Sequence, residues 1–197
     1  TRGLWSGGES DASGVINVID YITIASEGNA TDFGDLVAVA YGSTTITSTS
    51  RAVIAAGRGG SVVNNMYYVT IASTGNAQNF GDLTQAKWRA ADGGSSSTRG
   101  MHSAGENSGG TKTNDIEYIT IASLGNGTDF GDLSHGSELP AGASSLIKHF
   151  TMGGANGGDS NVIDVVTIAS TGNSTDYGDL TEAGEASGAS GAHGGLA

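Results

Sequence analysis

Apolar residues gather in four short, evenly spaced stretches, at positions 17–26, 64–73, 114–123 and 161–170. Each is dense in β-branched and aromatic residues, which predicts a strand. Aligned, they form columns. Ile22, Val69, Ile119 and Val166 share one, and Ile24, Ile71, Ile121 and Ile168 another. Ile19, Met66, Ile116 and Ile163 fall on the opposite face. Both faces are apolar, as expected for a sheet held between two others. Each stretch runs into TIAS-x-GN, starting at Thr23, Thr70, Thr120 and Thr167, so the spacings are 47, 50 and 47 residues. Gly-Asn supplies turn chemistry. GDL follows at Gly34, Gly81, Gly131 and Gly178 and opens a further strand behind the aromatic column Phe33, Phe80, Phe130 and Tyr177. A shorter strand comes earlier in each copy, through Leu4, Val53, Met101 and Phe150, and ends in small residues. No helical period is present.

A fourth strand is expected in the polar connection, as in residues 89–95. Four strands in roughly 47–50 residues is the size of a propeller blade. The sequence therefore predicts one all-β domain over 1–197, a four-bladed β-propeller with repeats near 1–49, 50–97, 98–146 and 147–197. The tail, through residues 185–191, is expected to supply the strand missing beside residues 2–8 and so close the ring. Small residues after the first strand are read as relief of crowding near the axis.

Composition narrows the partners. The chain has 197 residues, a net charge of −12, 34 glycines, one proline and no cysteine. The acid excess argues against nucleic acid and anionic membranes, and no apolar run reaches a membrane span. Without cysteine there is no disulfide, thiolate metal site or thiol nucleophile. Thr1-Arg2-Gly3 carries neither Met nor a signal peptide, so a processed product or an excised piece is expected.

Three cues resemble the kelch class: a glycine pair ending one strand, a next strand centred on Tyr21, Tyr68 or Tyr118, and a third strand after a turn. Here the aromatic after the turn is Phe or Tyr rather than Trp, 12 residues past the tyrosine (Tyr21 to Phe33). The string IDYITIAS-x-GNATDFGDL, followed later by SSSTRG, is similar to repeats of virion-associated and tail-fibre-like proteins of marine bacteriophages, cyanophages especially. That resemblance spans all four repeats and implies a virion or extracellular-surface setting.

The candidate sites are columns and single residues. Asp35, Asp82, Asp132 and Asp179 would either cap a turn or a neighbouring backbone, or bind calcium with Asp32, Asp129 and Asp176, where the second copy has Asn79. Arg2, Arg51, Arg99 and Lys148 would form a basic collar for an anion or acidic glycan, or pair with the aspartate column. Asn17, Asn64, Asn114 and Asn161 are expected to bond loop backbone. His102, His135, His149 and His193 show no metal-ligand spacing. Residues found in one copy carry more information: Trp5, Tyr41, Arg58, Tyr67, Trp88, Arg89, Lys112 and His149. Trp5 and Trp88 would stack on sugar rings if exposed, or pack at a blade edge if not. No nucleophile elbow, zinc-protease motif, P-loop or dinucleotide fingerprint occurs. The expected function is a non-enzymatic binding or structural module of a phage particle, contacting a host glycan or a virion protein, with no cofactor. The alternatives are a glycan-active enzyme using channel-mouth carboxylates and a subunit that polymerises by donating its tail.

Overall fold

A computed structural model describes residues 2–91, 93–185, 187 and 188. Among these the protein is all-β, without a helix. The strong apolar stretches become the strands Val18–Thr23, Asn65–Thr70, Asp115–Thr120 and Val162–Thr167. Each pairs antiparallel with an earlier strand (Arg2–Ser6, Arg51–Ala55, Arg99–Ser103, Lys148–Met152) and a later one (Thr31–Asp35, Gln78–Asp82, Thr128–Asp132, Thr175–Asp179). Opening strands Thr44–Thr47, Gly94–Ser95 and Ala141–Ser144 complete four-stranded meanders in repeats two to four. The first repeat has a three-stranded sheet, and two small ribbons, Glu9–Ser10 with Gly14–Val15 and Lys87–Trp88 with Glu106–Asn107, make six sheets in all.

Each repeat packs its sheet on the next, and the side chains alternate between the two seams. Ala52, Ile54 and Val69 join Ile19, Phe33 and Leu36 of the first repeat. Val53, Ala55 and Met66 face the other way, towards Ile119 and Ile121 of the third. Met101, Ile116 and Phe130 meet Val166 and Ile168 of the fourth. The period-2 alternation of a strand makes this two-faced burial possible.

The repeated motifs build the seams. Phe33 O accepts from Gly75 N (2.7 Å) and Asp35 O from Ala77 N (2.8 Å), while Asn76 Oδ1 accepts from Asp35 N (3.1 Å). The same three bonds recur from Phe80 and Asp82 to Gly125, Asn126 and Gly127. They recur again from Phe130 and Asp132 to Gly172, Asn173 and Ser174. Thus the TIAS-x-GN loop of one repeat docks on the GDL strand of the repeat before it. A register shift in every copy, as between Ile19 and Asp20, marks a bulge whose unpaired residue is the aromatic. The GDL glycine there has φ between +142° and +151°. A side chain on Gly81 would run into the Gly125 carbonyl, and one on Gly34 into Gly75.

Among the described residues the expected ring is not closed. Repeats follow one another in an open stack, and among the described residues no strand pairing or backbone hydrogen bond joins the first to the fourth. The outer faces are bare: Ile24 is 61% exposed at one end and Tyr177 61% at the other, where their counterparts Ile121, Ile168, Phe33, Phe80 and Phe130 are buried. Among the described tail residues none pairs with residues 2–8. Gly184 N donates to Ser160 O and Gly184 O accepts from Gly154 N, the bonds that Ser137 makes to Thr113 and Gly105 one repeat earlier. Gly188 then lies against Gly142 of the fourth repeat's opening strand, as Gly93 lies against Thr45. Gly184 and Gly188 thus sit on the fourth repeat; residues 186 and 189–191 of the expected closing strand lie outside the described residues. The small residues after the second strand also have a different cause. Gly7, Ala56, Ala104 and Gly153 sit at φ of 60–68°, followed by glycines at 88–120°. The chain turns there through left-handed backbone, which penalises large side chains.

Gly178 has the same backbone as Gly81 but nothing within 4 Å of an added Cβ. Gly178→Ala is expected to cost about 1–3 kcal/mol of backbone strain. Gly81→Ala is expected to cost more, because the seam must also part. Urea melts of both variants measure the difference, and equal losses would remove the seam contact as the cause.

Candidate functional site

The repeated polar columns are consumed by the scaffold. Arg2, Arg51 and Arg99 each donate Nη1 to a carbonyl of the next repeat, Ile71 O (2.8 Å), Ile121 O (2.7 Å) and Ile168 O (2.9 Å). Each guanidinium also lies over Tyr21, Tyr68 or Tyr118 at 4.4–4.5 Å, a cation–π contact. The expected collar is therefore replaced by three separate seam clamps. The expected pairing with aspartates is absent among the described residues, whose ion pairs all lie elsewhere. Lys148, on the open end, is exposed and sits 5.6 Å from the Tyr177 ring. Asn17, Asn64, Asn114 and Asn161 donate Nδ2 to Leu36, Leu83, Leu133 and Leu180 carbonyls at 3.1–3.5 Å. The aspartate column enters the seams through its backbone, and Asp82 also accepts from Asn65 Nδ2 (2.9 Å). Among the described residues no three His, Asp or Glu side chains gather as metal ligands.

The two tryptophans part company. Trp5 is 56% exposed on the first end face, whereas Trp88 is only 5% exposed. Trp88 packs edge-on to Tyr41 (5.4 Å), with Arg89 at 4.0 Å and Arg58 at 4.9 Å from its ring. It is a packed anchor and not an open sugar platform, because its connection folds back over the second repeat through Arg89 N to Gly42 O (2.9 Å). Most of the single-copy residues nevertheless come together. Beside Trp88, Arg89 Nη1 reaches Glu138 Oε2 (2.9 Å), and Lys112 Nζ bridges Glu106 Oε2 (2.6 Å) and Glu138 Oε1 (2.8 Å). This network ties the connection that follows repeat two to two loops of repeat three. Partial burial works against it, but the bonds from Lys112 and Arg89 hold the Glu138 carboxyl down at about 2.

A second charged cluster lies inside the seam between repeats two and three. Lys87, fully buried, makes an ion pair with Asp115 and lies 3.1 Å from Glu117 Oε1. Glu117 is also buried, and its Oε2 accepts from Thr84 N (2.7 Å). His102 is 1% exposed, with neither ring nitrogen hydrogen-bonded. Burial first, and the charge of Lys87 second, push His102 well below the usual histidine range. Burial would raise Asp115, yet Lys87 holds it low. Sequence reading passes over Lys87, Asp115 and Glu117. The available signal was Asp115-Ile116-Glu117, which puts two carboxylates on one face of a strand whose counterparts include Val18 and Val162.

His149 occupies the next seam, against Gly94, which leaves it room, with Nε2 3.2 Å from Ser103 Oγ. Burial pushes it down to about 4. Unfolded, it takes up its proton near pH 6.5. Between about 6.5 and 4 the unfolded chain therefore binds more protons, and stability falls as pH falls. The melting temperature is expected to drop across that window, and less steeply in His149→Asn. An unchanged slope in that variant would assign the acid sensitivity to other groups.

No protein-family model matches the chain, and no curated protein shows significant similarity to it.

Proposed function

We propose that the protein is a non-enzymatic structural module that stacks head to tail with copies of itself. The observation that carries this reading is the complementarity of its two ends. Every internal seam joins one pair of surfaces, and the outer ends carry the two unused halves. The fourth repeat offers Tyr177 O, Asp179 O and N, the Tyr177 ring and Lys148. The first offers Gly28 N, Ala30 N, Asn29 Oδ1, Ile24 O and the apolar Ile22 and Ile24, in the columns that dock at every seam. Joining them repeats the internal geometry and buries both exposed faces. Gly188, advancing along the column of Gly93 and Gly142, would lie beside Trp5 of the next copy, next to a strand that among the described residues pairs on one side only. The blade-like sheets would thus serve an open array in place of a propeller ring.

An interface between unlike surfaces propagates instead of closing, which suits a fibre. A virion or extracellular-surface setting agrees with the resemblance to kelch-like repeats of phage fibre-like proteins. A host glycan or a virion protein would then meet the loops along the array. Trp5 favours a second use: its exposed ring is available for stacking on sugar at an unjoined end.

Sedimentation over a concentration series tests assembly. The wild type is expected to grow into a ladder of oligomers. Ile24→Glu and Tyr177→Glu are each expected to remain monomeric alone. Mixed, they are expected to form dimers only, because one intact end of each remains. A wild type that is monomeric at its highest soluble concentration would refute head-to-tail stacking. Loss of glycan-array binding in Trp5→Ala separates the second use.

A further inference from the structure

The Lys87 cluster is not needed to hold its seam. The other two seams are built at the same positions from Ala40 and Ser137, with no lysine. A lone ammonium facing two carboxylates inside a seam is a costly way to fill space, since Lys87 and Glu117 lose their water. Its geometry is that of a reaction. The Lys87 amine contacts the Asp115 carboxylate, and Glu117 Oε1, 3.1 Å from the amine, has no hydrogen-bond partner of its own. Lys87 is fully buried and Glu117 1% exposed, so the amine and its proton carrier are shielded from bulk water, while the Asp115 side chain keeps 17% of its surface accessible.

We infer that Lys87 and Asp115 condense into an intramolecular isopeptide bond, with Glu117 carrying the proton between them. Glu117 takes a proton from the ammonium, which frees the amine lone pair. Nζ attacks Cγ of Asp115, forming the C–N bond. Glu117 passes that proton to the Asp115 carboxyl oxygen, takes a second proton from the now-attached nitrogen and delivers it to the same oxygen, so the C–O bond breaks and one water leaves. The sum is ammonium plus carboxylate giving amide plus water. No oxidant, reductant or cofactor enters. Three physical factors favour it. Folding holds nucleophile and electrophile in contact, which replaces an encounter in solution. Full burial of Lys87 leaves no bulk water to compete with the carboxyl carbon for its freed lone pair. The product exchanges two buried opposite charges for a neutral amide, relieving the desolvation cost. The neighbouring His102, uncharged and without a hydrogen-bond partner, adds no competing acceptor bond to the amine.

The bond would staple repeat two to repeat three across a seam otherwise held by packing, hydrogen bonds and the Arg51 clamp. It is independent of whether copies associate.

Intact-mass spectrometry of the denatured wild type tests it. The expected mass is lower than calculated by one water. Trypsin is expected to release residues 59–89, uncut after Lys87, joined to residues 113–148. Asp115→Ala and Glu117→Gln are each expected to show the full calculated mass and no joined peptide, with circular dichroism showing that both remain folded. A wild type of full mass would overturn the inference, as would a missing water without the joined peptide. The joined peptide persisting in Glu117→Gln would overturn the role given to Glu117.

Discussion

The structure depends on the docking of a loop on a strand. The Gly-Asn turn of one repeat places two backbone donors and the asparagine oxygen against the edge of the preceding GDL strand, three times over with nearly the same distances. A strand edge left with unpaired carbonyls is an open invitation to pairing, and here the following repeat satisfies it. The bulge and its left-handed glycine exist to let two backbones approach that closely. The arginine clamp and the aromatic column close over the same contact from the side. Remove the approach and each of these features loses its purpose.

Such a scaffold is quasi-one-dimensional: each repeat touches only its neighbours, and stability is a sum of units and seams. The ends then become chemically distinct surfaces, because the same interface cannot be satisfied at the outermost repeats. Exposed Ile24, Trp5 and Tyr177 follow from this geometry and from no special property of those residues. The seams also differ in content. One is apolar around Ile54, one holds Lys87 with Asp115 and Glu117, and one holds His149 with Ser103 and Thr151. Identical backbone contacts set the geometry, which leaves the interior of each seam free to vary and to host chemistry.

Much of this was legible in the chain. Strand positions, the two-faced burial of Ile19 and Ile22 columns, and the loop-bonding role of Asn17, Asn64, Asn114 and Asn161 follow from local pattern. The candidate sites were less legible. An arginine that recurs every 47 to 50 residues looks like a charge in need of an anion. Its true partners are a carbonyl and a ring, groups that every sequence contains and that no spacing reveals. Lys87 and Glu117 lie in different repeats, so only packing of one sheet on another shows that they meet.

The sequence by itself determined the number of repeats, their all-β character, the turns and the residues that face the seams. Those properties arise from φ/ψ preference and from strand alternation, which act over a few residues. Only the tertiary structure decided between a closed ring and an open stack. Both arrangements use the same neighbour contacts, and they differ in the small rotation accumulated from sheet to sheet, which no single repeat encodes in its pattern. It likewise decided that Gly184 and Gly188 lie against the fourth repeat, that Trp88 is covered while Trp5 is not, and that a lysine and two carboxylates meet in one seam.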